Sequence, residues 1–233
     1  MKFLQGLPLV TTPGKPKRGE ALRVNDRFQV MDESFANRLW VETGLRELVC
    51  GCAEGVDAGE VMSNEERRQL WGGEPVGLNP SIRIYRYTKG QFFDCHCKYH
   101  LSPFRQLSSD ITITDDESNV LTLDSKPVKT TWTMLLYLTS PATGCQGGET
   151  VFYPDELPGK KSVIEKEVVV ELETGMALLH KHGNDCMLVS ISGLMSRNPA
   201  DMSQHEGREV KEGEKWVIRT DLCVKREKPR FAD

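Results

Sequence analysis

The hydrophobic period of the chain changes at residue 82, and this change limits the possible folds more than any other feature. From Ile82 to Tyr87, apolar and polar side chains alternate, and alternation returns in parts of 131–138, 168–172, 177–180 and 216–222. A period of two places successive side chains on opposite faces of a β-strand. Short strands separated by turns predict a mainly β fold, a jelly-roll barrel with N-terminal helices packed outside it.

The residues before position 82 predict helices. Asp32 is a candidate N-cap for a helix over 33–49, which Gly51 would end. The apolar stripe of this helix would be Phe35, Leu39, Leu45 and Leu48. A second helix is predicted over 64–71, stopped by Gly72-Gly73. The predicted organisation is therefore a tail and supporting helices over 1–81, a barrel over 82–225 and a C-terminal tail over 226–233.

Composition narrows the classes of function. The formal net charge of −4, with basic residues interspersed among acids, does not indicate a nucleic-acid-binding surface. No apolar run approaches the ~20 residues that cross a bilayer, so no membrane partner is expected. The N-terminal apolar part is too short and interrupted for a signal peptide. Seven cysteines without paired regular spacing indicate reduced thiols in an intracellular, cytoplasmic protein.

Three phrases carry the candidate chemistry. The first runs from Arg86 to His96 (RYTKGQFFDCH), the second over 147–152 (GGETVF), and the third starts at His205 (HEGREV) and continues over 215–219 (KWVIR). Together they supply two histidines, a glycine-rich sheet corner and a cation ten residues after the second histidine. Two histidines and one carboxylate can hold non-haem iron while leaving coordination positions open.

With these phrases in this order, residues 82–225 resemble the catalytic domain of the prolyl 4-hydroxylase type of Fe(II)/2-oxoglutarate dioxygenases. The resemblance implies a double-stranded β-helix, with Fe(II) as cofactor and 2-oxoglutarate and O₂ as co-substrates. It also implies hydroxylation of a C–H bond with release of succinate and CO₂, and L-ascorbate to keep the iron reduced. His96 and His205 would be two iron ligands.

The carboxylate ligand departs from the family pattern. In the family the first histidine belongs to His-x-Asp, but Lys98 lies two residues after His96, and a protonated ammonium has no lone pair for iron. Asp116 is the favoured third ligand, with Asp115 as the alternative and Asp94 as a remote third.

Two stretches, 98–114 and 189–204, match nothing expected of the family, and both can be interpreted as retained introns. Codons for Cys97-Lys98 can contain a splice donor and those for Thr114-Asp115 an acceptor, and splicing would create His96-Tyr-Asp116. Val189-Ser190 and Gln204 can encode a second donor and acceptor, which would join Leu188 to His205. Both stretches are expected to be irregular excursions with few contacts to the barrel.

The resemblance also suggests how 2-oxoglutarate would be held. Lys215 matches the family's lysine for the distal carboxylate of 2-oxoglutarate, and Arg219 is the alternative on the same strand face. Hydrogen-bond donors to the same co-substrate could be Tyr87 or Tyr85, and Thr133 or Tyr137. Gly147-Gly148 is expected to form a tight turn and not a phosphate cradle, because no helix start follows it.

The remaining histidines are expected to play lesser roles. His180 and His182 are interpreted as barrel-lining or structural, and His100 falls inside the first suspected insertion. The substrate would be a prolyl side chain of a protein or a small molecule, and the sequence does not indicate an oligomeric state. The alternative function is an inactive barrel that serves as a binding or scaffold protein because its His-x-Asp is interrupted. A cupin-like metal isomerase would need further histidines.

Overall fold

The computed structural model describes residues 2–12, 14–16, 21–51, 62–97, 122–123, 126–153, 167–182, 188–191 and 204–226. The helices are α1 (Lys2–Gln5), α2 (Glu33–Glu42), α3 (Leu45–Cys50) and α4 (Asn64–Trp71), with a 3-10 turn at Pro141–Thr143. The strands are β1 (Val10–Thr11), β2 (Arg23–Val24), β3 (Asp26–Met31), β4 (Pro75–Leu78), β5 (Ser81–Thr88), β6 (Phe92–Cys97), β7 (Thr122–Leu123), β8 (Lys126–Tyr137), β9 (Gln146–Gly147), β10 (Thr150–Tyr153), β11 (Val168–Val170), β12 (Ala177–Lys181), β13 (Leu188–Ile191), β14 (Gln204–Gly207), β15 (Val210–Glu212) and β16 (Glu214–Lys225).

Two antiparallel sheets dominate the described part of the chain. The larger has nine strands, in the order β1-β3-β5-β16-β8-β12-β13, with β4 beside β16 and β7 beside β8. The smaller has five, in the order β11-β10-β14-β6-β2. Strands β9 and β15 form a separate pair. The predicted fold class, mainly β with N-terminal helices and a double-stranded β-helix (jelly roll), is confirmed.

The chain divides into two compact units that are interleaved in sequence. The first comprises 1–30, 83–106 and 134–219, and the second 31–82, 107–133 and 220–233. The division at residue 82 that the sequence suggests stays a prediction.

Both sheets contribute to the core of the first unit. Tyr85 and Tyr87 of β5, Leu178 of β12 and Val217 of β16 come from the larger sheet, and Phe152 of β10 from the smaller one. All five are at most 8% exposed. Because they form one cluster, the two sheets enclose a shared apolar interior, and the side chains on its inner faces are candidates for a site.

In the second unit, helices pack around two tryptophans. The rings of Trp71 and Trp132 meet edge to face, with centroids 5.0 Å apart. The indole N–H of Trp71 donates to the carbonyl of Val49 at 2.9 Å, and that of Trp132 donates to the carbonyl of Leu70 at 3.2 Å. These bonds satisfy the polar atoms of two fully buried rings.

The helix predicted over 33–49 is two helices. Asp32 caps α2 as predicted, accepting the N–H of Phe35 at 2.8 Å. Gly44, at φ 76°, breaks the helix, and Gly51 ends α3 in the left-handed conformation. The predicted stripe is also partly wrong, because Ala36, Trp40, Leu45 and Val49 are the buried residues while Leu48 is exposed. The helix over 64–71 is confirmed as α4, with a Ser63–Glu66 capping box.

The second suspected insertion contains regular structure, so the expectation of an irregular excursion is wrong for part of it. Val189–Ile191 belong to β13, which pairs with β12 so that Ala177 lies opposite Ile191. Gln204 begins β14 and lies opposite Tyr153. Valine and isoleucine favour extended pairing, which accounts for the strand. Residues 98–114 and 192–203 lie outside the described residues, and the intron hypothesis stays a prediction.

Candidate active site

The two histidines proposed as iron ligands lie opposite each other on neighbouring strands of the smaller sheet. His96 of β6 and His205 of β14 are direct partners in the antiparallel register. Their ring centroids are 4.1 Å apart and the rings are tilted by 54°. The structure therefore brings together two imidazoles that are separated by more than a hundred residues in sequence.

A β-bulge in β6 sets the position of His96. His205 pairs with His96 and Gly207 pairs with Phe93, so two steps along β14 match three steps along β6. The extra residue interrupts the alternation of side chains between the two faces of β6. The rings of Phe93 and His96, three residues apart, stack with their centroids 3.8 Å apart. Bulges of this kind redirect side chains next to functional sites.

The hydrogen bond of His96 selects a tautomer that can coordinate a metal through Nε2. Its Nδ1 lies 2.9 Å from the carbonyl oxygen of Asp94. A carbonyl can only accept, so Nδ1 carries the hydrogen and Nε2 keeps the lone pair. The backbone of β6 thus prepares this imidazole to coordinate through Nε2.

His205 is enclosed by aromatic rings. It is 9% exposed and stacks on Phe152, with centroids 5.3 Å apart. The ring of His180 lies 5.2 Å from that of His205 and is 3% exposed. His180 therefore lines the interior, as predicted, and His182, the residue after β12, is half-buried.

Of the three aspartates predicted as candidate carboxylate ligands, Asp94 alone falls within the described residues. Asp115 and Asp116 lie outside the described residues, as do Lys98 and His100. Asp94 is exposed, and its carboxylate accepts the N–H of Cys95 at 2.8 Å. Among the described residues, no three His, Cys, Asp or Glu side chains converge to hold a metal.

Lys215 is a buried cation inside the same unit. It is 5% exposed, lies opposite Tyr87 in the β5–β16 register, and its Nζ donates to the carbonyl of Gly148 at 2.5 Å. The rings of Tyr87 and Tyr137 each have their centroid 5.5 Å from this Nζ. No carboxylate of the described chain forms an ion pair with it.

Burial controls the charge of Lys215. Desolvation lowers the pKa of its ammonium to about 8, against the opposing influence of Cys145 and Glu149. At pH 7 the side chain therefore remains mostly protonated, although it lacks a carboxylate partner in the described structure. The Nζ lies 4.0 Å from the position that a Cβ on Gly207 would take, two residues after His205. The cation is thus close to the strand that carries the second histidine.

The other candidates for binding the co-substrate occupy different surroundings. Arg219 lies opposite Arg83 in the β5–β16 register and is half-buried. Thr133 donates to Asp221 at 3.0 Å within the second unit. Tyr85 is buried in the first unit, and its hydroxyl has no hydrogen-bond partner among the described residues.

A buried hydroxyl pair next to Lys215 includes a residue that the sequence did not single out. The Tyr137 hydroxyl and Thr150 Oγ1 are 2.7 Å apart. Burial raises the pKa of Tyr137, so the phenol stays neutral and able to donate. Thr150 belongs to the glycine-rich phrase, but no sequence signal indicated that its hydroxyl would meet Tyr137.

Gly147 ends β9 and Gly148 lies between β9 and β10, so a strand and not a helix follows the glycine pair. Their φ values are 74° and 78°. A Cβ on Gly148 would lie 3.1 Å from Cδ of Lys215 and 3.0 Å from Val210. The glycine therefore allows the backbone to approach the buried lysine closely.

No protein-family model matches the sequence, and no curated protein matches it. Similar solved structures include a collagen prolyl hydroxylase of Paramecium bursaria Chlorella virus-1, with 13% identity, a TM-score of 0.43, and coverage of 94% of this chain and 98% of the viral one. A Pseudomonas putida prolyl-4-hydroxylase has 11% identity, a TM-score of 0.43, and coverage of 92% and 77%. A 2OG-Fe(II) oxygenase family oxidoreductase of Burkholderia pseudomallei has 14% identity, a TM-score of 0.39, and coverage of 95% and 75%.

These similar structures carry the family names that the three sequence phrases predicted. Within the described ranges, no helix has both the length and the hydrophobicity needed to span a membrane.

Proposed function

We propose that this chain is an Fe(II)- and 2-oxoglutarate-dependent dioxygenase that hydroxylates a C–H bond. The observation that carries the proposal is Lys215, a buried ammonium without an ion-pair partner among the described residues, in the unit that holds paired histidines. Desolvating a cation is unfavourable unless an anion compensates for it. A carboxylate of a bound co-substrate would provide that compensation.

Two of the three proposed protein ligands, His96 and His205, have donor atoms that suit Fe(II). Neutral imidazoles suit Fe(II), and the hydrogen bond of His96 leaves its Nε2 available. His205 would provide the second nitrogen, and Asp116 remains the proposed carboxylate, with Asp115 as the alternative. Iron with 2-oxoglutarate and O₂ would supply, when bound, the oxidising power for C–H hydroxylation, with release of succinate and CO₂.

The protein's own residues would bind and orient the co-substrate. Lys215 is proposed to bind its distal carboxylate as a point charge, with Tyr87 beside the ammonium. The hydroxyl pair of Tyr137 and Thr150 would donate to the same group. Arg219 stays the alternative cation, since it lies four residues further along the same strand face. The aromatic rings around His205 would limit access of water to the reacting centre.

The decisive experiment measures succinate formed from 2-oxoglutarate by the purified chain with Fe(II), O₂ and ascorbate. We expect turnover that is lost in His96→Ala and His205→Ala. Lys215→Met should raise the 2-oxoglutarate concentration needed for half-maximal rate at least tenfold, whereas Lys89→Met, at an exposed turn, should not change it. Turnover that survives both histidine substitutions would refute the proposal.

The inactive barrel remains a second candidate, because Lys98 stands where the His-x-Asp of the family has its aspartate. The two functions differ in succinate formation and not in the binding of 2-oxoglutarate. Calorimetry with 2-oxoglutarate and Mn(II), without O₂, would detect binding in either case. Binding that requires Lys215 without any succinate formation would favour a binding or scaffold protein.

For the prime substrate, we propose a prolyl residue of a protein, with a small molecule as the alternative. Support comes from the sequence resemblance alone. Proline-containing peptides and a metabolite mixture would be incubated with the complete assay and examined by mass spectrometry. A gain of one oxygen atom on proline is expected, and its appearance only on a metabolite would refute the prolyl assignment.

A further inference from the structure

A cavity in the second unit lies outside the proposed catalytic machinery. It has a volume of about 690 Å³, within the range typical of small-molecule sites. Helices α2, α3 and α4 line it together with the start of β4 and the end of β16. Its apolar wall includes Trp40, Val49 and Val128, which are at most 5% exposed.

The charges that line this cavity are predominantly positive. Arg46, Arg67, Arg68 and Lys225 contribute four cations, and Glu74 contributes the one carboxylate among the lining residues that the structure describes. Glu74 lies 2.6 Å from Lys225 Nζ and 3.7 Å from Arg68. Arg46 and Arg67 have no ion pair within the described ranges. The cavity therefore has excess positive charge beside an apolar wall.

Arg67 is held in a defined position. Its Nη2 donates to Asn64 Oδ1, a neutral acceptor that leaves the positive charge uncompensated. Its Nη1 lies against Gly51, where a Cβ would come within 2.1 Å. Little side-chain entropy would therefore be lost when this guanidinium binds an anion, which favours binding.

We propose that this cavity binds a small organic phosphate, a ligand with one phosphate group and an apolar or aromatic body. A phosphate monoester carries a charge of about −1.5 to −2 and offers three acceptor oxygens. Guanidinium groups bind such oxygens through paired N–H donors. The body of the ligand would contact Trp40 and its aliphatic neighbours. This site is independent of the proposed dioxygenase activity.

The test uses phenyl phosphate as the probe with the full chain, and calorimetry as the readout. We expect saturable binding that weakens at least tenfold in Arg46→Gln and Arg67→Gln. Glu74→Gln should strengthen binding several-fold, because it removes the carboxylate that competes with the ligand. Arg38→Gln is the matched control, since Arg38 is an exposed arginine paired with Glu42 that does not line the cavity.

Several outcomes would overturn the proposal. One is that phenyl phosphate does not bind saturably at millimolar concentration. Another is that Arg38→Gln loses as much affinity for phenyl phosphate as Arg46→Gln and Arg67→Gln do. Inorganic phosphate binding as tightly as phenyl phosphate would contradict a role for the apolar wall. Tighter binding of an acidic peptide would assign the cavity to a protein partner instead. Arg46 makes no hydrogen bond or ion pair to other described residues, so Arg46→Gln should fold. If Arg67→Gln is unstable, the affinity of Arg46→Gln for phenyl phosphate still tests the proposal.

Discussion

At the scale of single residues, the buried charge of Lys215 lowers the stability of the fold, and the same charge is proposed to bind the co-substrate. Its pKa is about 8 in the folded chain and 10.5 in the reference state. That difference corresponds to roughly 3 kcal/mol of lost stability when the group is charged. A residue kept at such a cost is typical of functional sites.

The pH dependence of stability follows from this shift. Between pH 8 and 10.5 the unfolded chain binds the Lys215 proton more strongly than the folded chain, so this residue makes stability rise with pH across that window. Below pH 8 the penalty is fully present. We expect Lys215→Met to be more stable than the parent at pH 7 by about 1–3 kcal/mol, a gap that narrows towards pH 10.5. Urea denaturation at several pH values measures it, with Lys89→Met as the control.

At the scale of elements, the connection between β9 and β10 lies against the buried cation, because the carbonyl of Gly148 accepts from Lys215 Nζ. Gly148→Ala should destabilise the chain more than Gly144→Ala. Both glycines have positive φ, 78° and 92°, but only the former has neighbours within 4 Å of an added Cβ. We expect a difference of about 1–3 kcal/mol from the contact with Val210 and Lys215. Thermal unfolding gives the stability, and equal losses would show that only backbone strain acts at Gly148.

The capping box of α4 permits a second prediction at this scale. Ser63 Oγ accepts the N–H of Glu66 at 3.2 Å, and the Glu66 carboxylate accepts the N–H of Ser63 at 2.7 Å. Ser63→Ala should cost about 1 kcal/mol of the free energy of unfolding. Because α4 also provides Arg67, this variant should weaken phenyl phosphate binding while leaving succinate formation unchanged. Equal effects on both activities would show that the variant destabilises the chain generally.

The sequence predicted the strands well because a period of two determines which side chains share a face. It thereby placed Lys215 and Arg219 on one face of what proved to be β16. The bulge in β6 could not be predicted, since it depends on how β14 pairs with that strand. The break at Gly44 was missed because an isolated glycine is tolerated within a helical pattern. The Tyr137–Thr150 pair joins two strands whose relative position no local pattern specifies.

At the scale of the whole molecule, the interrupted His-x-Asp yields the most direct prediction. Replacing residues 97–115 with a single tyrosine joins His96-Tyr-Asp116. We expect this shortened chain to bind Fe(II) at least tenfold more tightly, because three ligands would replace two. Asp116→Asn in the same shortened chain is the matched control. Competition with a chromogenic chelator measures the affinity, and no difference between the two shortened chains would refute Asp116 as a ligand.

Transcript sequencing tests the origin of both stretches. Spliced reads that omit the codons for 98–114 would support the first intron. The structure argues against an intron origin for part of the second stretch, since Val189–Ile191 pair with β12. Deleting 189–204 removes that pairing, so we expect this deletion to lower the thermal unfolding temperature of the chain.

The pairing of His96 with His205 has a consequence for how the protein is made. Strand β6 emerges from the ribosome long before β14, and about a hundred residues must be added before its partner exists. At translation rates of about 5–20 residues per second, β6 remains without its partner β14 for on the order of ten seconds. During that time β6 has β2 on one side and an unpaired backbone on the other. Nascent chains stalled between these strands should therefore engage chaperones more strongly than completed chains do.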